Sequence, residues 1–501
     1  MSILKTPVER VGELFAEWHG AKADFIIPLP ASGSYRQYFR LGTGGHTWIG
    51  AWNADVKENR AFVYFSRLLK NKGLNVPDIY YVSDDELCWL EQDLGDVTLL
   101  SEYQQLMDKG DLNAVETVYR KALEDLVLFQ VKGREGMDLL QCYPRARFDN
   151  RSMLWDLNYF KYYFLKFARI PFDEQDLEND FQIFADYLMQ ADTGYFLYRD
   201  FQSRNIMLTP EGHYYIDYQS ARLGAAQYDP SSLLFEAKTH LPDDLRRKLL
   251  DHYVEVFTRE TRSVRSDFLK LYYPYALIRQ LQAMGAYGFR GLHEQKPLFL
   301  ESIPHALNHI RLILPVLPEH LRIPALKSAL QALTENENLR AIGKGSDKLT
   351  VRVYSFSYRS GIPFDETLHG GGFVFDCRGL PNPGRLETYK SLTGKDQEVM
   401  EYLGQFREVN DFIAHARSMV SMHINSCLQR GLTEMMVCFG CTGGRHRSVY
   451  CAEKLASELE KSWPPDWCTV YSHIPSVGAY ESDNTCCRIW NAAETAYRFH
   501  A

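Results

Sequence analysis

The sequence predicts a bilobal α+β domain followed by a small α/β domain with a mostly parallel sheet. Its 501 residues exceed what one hydrophobic core usually supports, so two or three domains are expected. Strand-like segments near the N-terminus give way to helical periodicity over residues 97–190, which indicates two lobes of different composition. From Leu349 onward, short apolar strands alternate with helices, a pattern typical of a parallel sheet.

The composition is that of an ordinary globular protein, with 45% hydrophobic and 24% charged residues. No apolar run approaches the roughly 18 to 20 residues that span a bilayer, and the N-terminus lacks a signal-peptide core. We therefore expect a cytoplasmic protein with no membrane partner and with reduced cysteines. The net charge of −8 gives no general attraction to nucleic acids.

A polar, glycine-bearing segment separates the two predicted domains. Its composition is that of an interdomain linker. We expect an N-terminal lobe over residues 1–92, a helical lobe over residues 93–335, the linker over residues 336–349 and the second domain over residues 350–501.

The first lobe begins with an amphipathic helix over residues 5–19, whose apolar positions recur at helical spacing. A small-residue turn follows, with Gly33 and Ser34 at its tip, and it runs into alternating apolar and basic positions. Candidate strands over residues 47–52 and 87–96 complete this lobe and lead into the next one.

The helical lobe contains the segment that says most about chemistry, residues 195–219. Its pattern is strand, loop, strand, Glu-Gly turn and strand, and it carries Asp200, Asn205 and Asp217 in the loop or at a strand end. Such a hairpin can hold one carboxylate at an attacking hydroxyl and bring an amide and a second carboxylate together on Mg²⁺. Each residue alone is an ordinary turn residue or cap, but the combination favours phosphoryl transfer, with Asp200 as the base.

This spacing resembles the catalytic loop and metal-binding aspartate of the aminoglycoside-phosphotransferase family of small-molecule kinases. The resemblance implies a protein-kinase-like fold, ATP and Mg²⁺ as cofactors, and Asn205 and Asp217 as metal ligands. Tyr198 stands where these families usually have His, a residue that mainly braces the loop. Asp229 lies in a segment similar to the family's Tyr-Asp-Leu-Ala, where we expect it to be a helix N-cap that braces the loop.

One residue of typical kinases is missing from its usual place. The strand over residues 47–52 contains no lysine for the α- and β-phosphates. Either Arg36, Arg40 or Lys57 reaches the phosphates instead, or metal and backbone hold the nucleotide. Glu58 is the acidic candidate for an internal ion pair, although a solvated glutamate in the first turn of a helix is the more ordinary interpretation.

Residues 32–96 are similar to the N-acetylmuramate/N-acetylglucosamine anomeric kinases of this family. The similar segments are Ser34-Tyr-Arg-Gln-Tyr-Phe-Arg40, Gly73-Leu-Asn-Val-Pro77 and Leu90-Glu-Gln-Asp-Leu-Gly-Asp96. The resemblance implies a sugar or amino sugar as acceptor, and a phosphate-covering hairpin with Gly33 and Ser34 at its tip. It also implies a hinge whose backbone meets adenine at Glu91, Gln92 and Asp93.

The helices between the hinge and the catalytic segment are rich in aromatic residues, most of which we expect in the core. Because sugars are often held by aromatic faces and carboxylates in clefts, the same region is a candidate wall of an acceptor site. Our acceptor-site candidates are Asp149, Arg151 and Asp156, by similarity to an Arg-x-x-x-x-Glu segment in the sugar kinases.

The second domain has its sharpest feature where a strand meets a helix. Gly440-Cys-Thr-Gly-Gly-Arg-His-Arg-Ser448 joins a predicted strand over residues 434–439 to a helix that begins near Arg447. The glycines let backbone N–H groups turn inward, and the helix N-terminus adds its positive end. The loop is therefore predicted to bind an anion, with phosphate as the expected guest.

Two further interpretations of the cysteines stay open. Cys441 and Arg447 satisfy the spacing of cysteine phosphatases, in which a thiolate of lowered pKa attacks phosphorus. Cys438 and Cys441 can also form a zinc site with the Cys486-Cys487 pair, although Cys438 fits as a buried strand residue.

Four motifs, in the same order, resemble the C-terminal domain of the RapZ family over about residues 350–463. They are Tyr358-Arg-Ser-Gly-Ile-Pro363, Phe375-Asp-Cys-Arg-Gly-Leu-Pro-Asn-Pro383, Leu392-Thr-Gly-Lys-Asp396 and the Gly440–Tyr450 loop. The resemblance implies a sensor of glucosamine 6-phosphate and an RNA-binding module. The phosphate-binding residues that it implies are Thr442, Gly443, Gly444, His446 and Arg447, with Arg378 nearby.

An RNA partner is not favoured by the charge of this domain. From residue 349 onward, 15 Lys and Arg residues stand against 17 Asp and Glu, a net of −2, whereas binding the RNA backbone needs a basic surface. Our first hypothesis is an ATP-dependent kinase of a sugar or amino sugar hydroxyl, with a C-terminal regulatory domain that binds a sugar phosphate. The second is a catalytically degenerate kinase scaffold that acts as a metabolite-sensing or RNA-binding adaptor.

Overall fold

The computed structural model of the protein describes residues 5–30, 36–294, 296–342, 349–363, 372–429, 432–463, 468–475 and 499–500. The chain divides into two units, Met1–Gly291 with Glu301–Arg340 and Leu292–Leu300 with Ala341–Ala501. The division near residue 340 falls inside the segment predicted as a linker, where Glu337–Ala341 forms a short helix.

An antiparallel sheet of five strands forms the first lobe of unit 1. The strands are β1 (Phe25–Pro28), β2 (Gln37–Thr43), β3 (His46–Trp52), β4 (Ile79–Val82) and β5 (Cys88–Gln92), in the order β1-β2-β3-β5-β4. Helix α1 (Pro7–His19) begins after a Thr6 capping box and buries Val11, Leu14 and Phe15 in the same apolar cluster as Leu41 of β2. The predicted amphipathic helix and its packing on the following strands are therefore confirmed.

Helices make up most of the remainder of unit 1. They are α2 (Val56–Asn71), α3 (Leu99–Asp108), α4 (Leu112–Lys132), α5 (Asn150–Phe160), α6 (Glu174–Leu188), α7 (Tyr228–Leu234), α8 (Asp243–Thr261), α9 (Arg265–Ala286), α11 (Ile303–Ile313), α12 (Pro324–Glu335) and α13 (Glu337–Ala341), while α10 (Pro297–Leu300) falls in unit 2. Of the aromatic residues expected in the core, Phe160 and Phe164 are fully buried, whereas Trp155 is 53% exposed.

Two short antiparallel pairs in unit 1 position the candidate site. Strand β6 (Tyr195–Leu197) pairs with β9 (Arg222–Gly224), and β7 (Ile206–Thr209) pairs with β8 (Gly212–Tyr215). Beyond the second pair, the Ile216 N–H donates to the Asn205 carbonyl at 3.0 Å. The loop after β6 and the segment after β8 are thus held side by side.

Unit 2 has a sheet in the order β11-β12-β10-β13-β14. The strands are β10 (Leu349–Ser357), β11 (Gly372–Asp376), β12 (Glu434–Cys441), β13 (Cys468–Pro475) and β14 (Phe499–His500), and the helices are α14 (Gln397–Gly404), α15 (Arg407–Gln429) and α16 (Arg447–Glu460). Strand β10 runs parallel to β12 and β13, and β11 runs parallel to β12, while β14 is antiparallel. The predicted fold class, with its mostly parallel second sheet, is confirmed.

Within the described ranges, none of the helices is both long enough and apolar enough to cross a membrane.

Candidate active site

Asp200, Asn205 and Asp217 meet because the β7–β8 hairpin folds back on the loop after β6. The Asn205 side-chain amide donates to the Asp200 carbonyl at 2.9 Å and to Asp217 Oδ2 at 3.2 Å. Asp217 has a φ of 70°, in the left-handed region that residues with a side chain rarely adopt, so the turn imposes the position of its carboxylate. The structure brings the three sequence-predicted residues together.

The Asn205 and Asp217 side chains fit a Mg²⁺ ion that is shared with nucleotide phosphates. Both offer the oxygen ligands that Mg²⁺ prefers, since turning the Asn205 amide over presents its oxygen beside the carboxylate. No group of three or more His, Cys, Asp or Glu side chains converges as a metal site in the part of the chain that the structure describes. Mg²⁺ does not need one, because it is usually held by one or two carboxylates plus phosphates and water.

Burial of the Asp200 carboxyl and the nearby Asp217 charge raise the pKa of Asp200, and neighbouring arginines led by Arg279 oppose that effect. No hydrogen bond to the Asp200 carboxylate is found among the described residues. The carboxylate is therefore available to an incoming hydroxyl, with a proton affinity higher than that of an ordinary aspartate.

Asp229 holds the backbone just before the candidate base. Its two carboxylate oxygens accept the Tyr198 N–H at 2.8 Å and the Arg199 N–H at 2.9 Å, and burial raises the pKa of Asp229 to about 7. The predicted N-cap role is wrong, because Gln227 occupies the N-cap of α7 and Asp229 lies in its first turn. Tyr198, at the usual His position, is fully buried and donates its hydroxyl to the Ile216 carbonyl at 2.5 Å.

The Arg36 guanidinium reaches the carboxylate of Asp217. This group lies 3.2 Å from Glu58 Oε1 and 3.7 Å from Asp217 Oδ1, and it donates to the Tyr38 hydroxyl at 2.8 Å. The side chain is only 1% exposed. The expectation of a solvated Glu58 is wrong, since Glu58 pairs with Arg36 and also accepts from the Asn53 amide at 2.6 Å. Lys57, the other candidate on α2, is exposed.

The remaining nucleotide-binding candidates have structural partners of their own or lie outside the described residues. Arg40 is bound by Asp93, at 2.7 and 3.0 Å, and by Asp96 at 2.9 Å, so its charge is already neutralised. Glu91 is buried, where it accepts from Trp89 Nε1 at 2.7 Å, and burial raises its pKa to about 7. The Gln92 N–H donates to the Asp78 carbonyl at 2.9 Å. Gly33 and Ser34 lie outside the described residues.

Of the three acceptor-site candidates, only Asp156 reaches the catalytic loop. Both of its carboxylate oxygens accept from Arg199 Nη2, at 2.7 and 2.8 Å. Asp149 is the N-cap of α5, accepting the Ser152 N–H at 3.0 Å, and it also pairs with Arg145. Arg151 is exposed on the surface of that helix.

Two residues of the site were missed in the sequence. Gln219 donates to Asp217 Oδ1 at 3.0 Å, and its place two residues after the aspartate was the signal that could have revealed it. Glu236 accepts the Ser203 N–H at 2.8 Å and so holds the far side of the loop. Glu236 is 33 residues from Ser203, and no local sequence pattern predicts that contact.

In unit 2, the loop between β12 and α16 wraps around the Cys441 sulfur. The Gly444 N–H donates to Cys441 Sγ at 3.2 Å, and the Ser448 hydroxyl lies 3.1 Å from the same sulfur. Burial alone would raise the pKa of Cys441, but these donors, together with the Ser448 and Arg445 N–H groups, lower it below the ordinary thiol value. Gly444 has a φ of 66°, which glycine adopts without strain.

The side chains predicted to bind phosphate make separate contacts with other parts of the unit. Arg447 is buried and donates to the Arg378 and Leu380 carbonyls at 2.8 and 3.1 Å, while the Arg378 guanidinium pairs with Asp376. His446 Nε2 lies 2.9 Å from the Tyr389 carbonyl. The loop-tip residues Thr442 and Gly443 are exposed.

The zinc interpretation has only part of its ligand set in the described residues. Cys438 is fully buried in a cluster with Tyr354, Phe356 and Met436, as expected of a core strand residue. Cys441 packs in a different apolar cluster of this unit. Cys486 and Cys487 lie outside the described residues.

Comparison with known proteins identifies both parts of the chain. The profile of the "Phosphotransferase enzyme family" matches residues 26–266, and that of the "RapZ C-terminal domain" matches residues 349–473. The nucleotide-binding protein YvcJ of Bacillus subtilis is 38% identical over 128 residues, which cover 26% of this chain and 39% of that protein. A nucleotide-binding protein of Acetivibrio thermocellus is 31% identical over 209 residues, covering 36% of this chain and 69% of that protein.

Among solved structures, a choline kinase from Cryptosporidium parvum aligns with a TM-score of 0.45 and 12% identity, over 65% of this chain and 98% of that one. The chain spans about two-fifths of the length of the first curated relatives that it matches, 38% in the case of a nucleotide-binding protein of Bacillus licheniformis.

Proposed function

We propose that this protein is an ATP- and Mg²⁺-dependent kinase of a sugar or amino sugar hydroxyl. The chain belongs to the phosphotransferase enzyme family through residues 26–266 and carries a RapZ C-terminal domain over residues 349–473. The C-terminal domain binds a sugar phosphate and regulates the kinase in this proposal. The enzyme works in the cytoplasm.

One observation carries the kinase proposal: Arg36 connects the carboxylate of Asp217, which lies beside Asn205, with that of Glu58. Kinases use a buried cation between a helix glutamate and the nucleotide phosphates to hold those phosphates in position. In this chain an arginine beside β2 takes the place of a lysine on β3. The lost lysine is thus offset within the same lobe, which favours a working enzyme over a degenerate scaffold.

The residues divide the reaction between them. Asp200 orients the acceptor hydroxyl and takes its proton as the new O–P bond forms and the bond to the leaving ADP oxygen breaks. Arg36 stabilises negative charge on the phosphates. Asn205 and Asp217 would hold Mg²⁺, which would neutralise negative charge on the nucleotide phosphates. Asp229 and Glu236 keep the loop backbone in place.

The test is incubation with ATP, Mg²⁺ and a panel of hexoses, hexosamines and N-acetylhexosamines, with sugar phosphate followed by ³¹P NMR. Replacing Asp200 by Asn should lower kcat about 100-fold or more, as expected for loss of a general base. Glu211→Gln, an exposed carboxylate in the β7–β8 turn, is the matched control. Absence of a phosphorylated product with every sugar would instead support the degenerate scaffold.

The sugar-phosphate proposal for the C-terminal domain is supported by the Gly444 turn and by the N-terminus of α16 at Arg447. Calorimetry with glucosamine 6-phosphate on the full chain tests it. We expect Arg447→Ala to weaken binding at least about tenfold, because that side chain ties the loop to the Arg378 segment. Arg407→Ala, on the exposed face of α15, should leave the affinity unchanged.

A further inference from the structure

Among the described residues, four free cysteines lie in the apolar core cluster of unit 2. Three of them belong to elements that meet beside the loop between β12 and α16. Cys377 begins the short 3₁₀ helix Cys377–Gly379 that follows β11, Cys441 ends β12, and Cys451 lies on α16. The fourth, Cys427, lies on α15. Three neighbouring elements thus each bring a thiol to this loop.

The segment after β11 contacts α16 at two points. The Cys377 thiol forms a hydrogen bond with Cys451. Arg447 lies one helical turn before Cys451, on the same face of α16. Its guanidinium donates to the Arg378 and Leu380 carbonyls at 2.8 and 3.1 Å. A change in the thiol pair would therefore act on the same segment that Arg447 holds.

Cys377 also lies beside Cys441. Asp376 is aligned with Gly440 in the parallel register of β11 and β12, and the two cysteines are the next residues of these segments. Neighbouring strands lie about 4.8 Å apart, and disulfides join cysteines whose Cα atoms are roughly 4.4 to 6.8 Å apart. Cys377 is therefore placed between two possible partners, one on β12 and one on α16.

The three thiols differ in reactivity. Burial would raise the pKa of Cys441, but hydrogen bonds from the Ser448 hydroxyl and from backbone N–H groups that include that of Gly444 lower it. The hydrogen bond with Cys451 and burial instead raise the pKa of Cys377. Because the thiolate is the form that attacks an oxidant, Cys441 reacts first and Cys377 stays a thiol until then.

We propose that Cys441 is an oxidation site for hydroperoxides and that its oxidation ends in a disulfide between Cys377 and Cys451. The Cys441 sulfur attacks the terminal oxygen, the O–O bond breaks, and the hydroperoxide leaves as an alcohol, or as water when it is hydrogen peroxide. The Cys377 sulfur then displaces the oxygen of the resulting sulfenic acid as water, and the Cys451 sulfur displaces Cys441 as a thiol. One hydroperoxide thus takes up the two electrons that two thiols give as they join.

The disulfide would act on the anion loop through Arg447. Two sulfur atoms in a disulfide are about 2.05 Å apart, closer than two thiols in a hydrogen bond, so the bond draws the segment after β11 toward α16. Arg447 contacts that segment and moves with it, and the loop then loses affinity for a sugar phosphate. This last step rests on the proposed sugar-phosphate site, whereas the thiol chemistry does not. The reduced form is the resting state, because cytosolic disulfides are usually transient and redox-sensing.

The first experiment identifies the disulfide directly. Trypsin places the three cysteines on different peptides, 360–378, 431–445 and 448–454. The full chain is treated with hydrogen peroxide, the remaining thiols are blocked with N-ethylmaleimide in denaturant, and linked peptides are identified by mass spectrometry. We expect a link between peptides 360–378 and 448–454 that dithiothreitol removes. A chain that is oxidised without this link would overturn the proposal.

Single variants assign the steps. Cys451→Ala should accumulate a link between peptides 360–378 and 431–445, because the intermediate disulfide of Cys377 with Cys441 is not resolved. Cys441→Ser should slow formation of the final link at least about tenfold, since the reactive thiolate is lost. Cys427→Ala removes a buried thiol of the same cluster and is the matched control, with the link unchanged. An unchanged rate in Cys441→Ser would reject Cys441 as the oxidation site.

Calorimetry with glucosamine 6-phosphate tests the effect on the loop. The oxidised full chain should bind at least about fivefold more weakly than the reduced chain, as expected for a modest coupling between two sites. Dithiothreitol should restore the affinity, and Cys377→Ala should abolish the difference. Equal affinity of the oxidised and reduced chains would reject control of the loop by the disulfide. If neither chain binds the sugar phosphate, the sugar-phosphate proposal fails, while the oxidation site stands on its peptide link.

Discussion

Arg36 and Glu58 form an ion pair of 3.2 Å between the residue before β2 and the first turn of α2. The arginine also lies 3.7 Å from Asp217, so one buried cation joins the first lobe to the proposed metal ligand of the second. In the proposed function, this cation takes the place of the lysine that β3 lacks. This role makes the importance of Arg36 testable.

Replacement of Arg36 by Ala should lower kcat/KM for ATP about 100-fold, because a charge aimed at the phosphates is removed. Arg36→Lys should recover part of that loss, since lysine retains the charge but not the planar contact with Glu58 and Tyr38. Steady-state kinetics with the acceptor found in the sugar panel measures both changes. Lys57→Ala, the neighbouring exposed cation, is the control. A loss at Lys57 as large as that at Arg36 would contradict the assignment.

Asp229→Ala should destabilise the protein by about 2–4 kcal/mol, because two buried N–H groups, of Tyr198 and Arg199, lose their acceptor. The activity should fall by more than the loss of folded protein explains, because the loop that carries Asp200 loses its support. Chemical denaturation and kcat measured on the folded fraction separate the two effects. Asp229→Asn keeps one acceptor oxygen and should be milder, and Asp244→Asn, 86% exposed on α8, should be neutral. Equal stability of the alanine variant and the wild type would show that the contacts do not brace the loop.

Glu91 should make stability depend on pH. Its pKa rises from 4.5 to about 7 in the folded protein, so the fold favours the neutral carboxyl. The stability that this provides is complete below pH 4.5 and is lost as the pH rises through 7, on the order of 3 kcal/mol. Glu91→Gln removes the titration, so the wild type should lose stability relative to this variant between about pH 4.5 and pH 7, with little further change at higher pH.

Denaturation curves at several pH values measure this difference. Glu13→Gln, whose side chain is 58% exposed on α1, provides the comparison for a solvated glutamate. A constant difference between wild type and Glu91→Gln across the pH range would mean that Glu91 stays charged in the folded protein.

Cys441 should be ionised at a lower pH than an ordinary thiol, because the loop directs hydrogen-bond donors at its sulfur. Thiolate absorbance near 240 nm should show a step at a lower pH than an ordinary thiol gives, and Cys441→Ser should abolish that step. Cys142→Ser should not affect that step, since burial raises the pKa of Cys142 to about 11. If the two serine variants titrate alike, the assignment of the low pKa to Cys441 is wrong.

The same Cys441→Ser variant tests the cysteine-phosphatase interpretation. Hydrolysis of p-nitrophenyl phosphate that disappears in the variant would favour it. Retained binding of glucosamine 6-phosphate without hydrolysis would instead favour a sensor domain.

Local spacing was enough to predict the residues that the β7–β8 hairpin brings together. Asp200, Asn205 and Asp217 lie within one strand–turn–strand segment, so their approach follows from the turn and needs no distant contact. The parallel sheet of the second domain was predictable for a related reason, because the alternation of strands and helices can be recognised in the sequence.

Contacts between distant segments were not predictable in this way. Arg40 meets Asp93 across 53 positions, and that pairing turned a candidate phosphate ligand into a structural ion pair. Asp149 was proposed for the acceptor site, but a carboxylate just before a helix has a local use as its N-cap. The ion pair of Glu58 with Arg36 likewise depends on how α2 packs, which the first-turn pattern does not reveal.

The arginine next to β2 has a practical consequence for chemical profiling of nucleotide-binding proteins. Acylating ATP analogues and other amine-directed labels mark kinases through a primary amine beside the phosphates, and a guanidinium does not react as an amine does. The Arg36 guanidinium that such reagents would encounter is permanently charged, and its side chain is only 1% exposed. Labelling surveys based on amine chemistry will therefore pass over this position, and photoreactive nucleotides are the appropriate reagents for this protein.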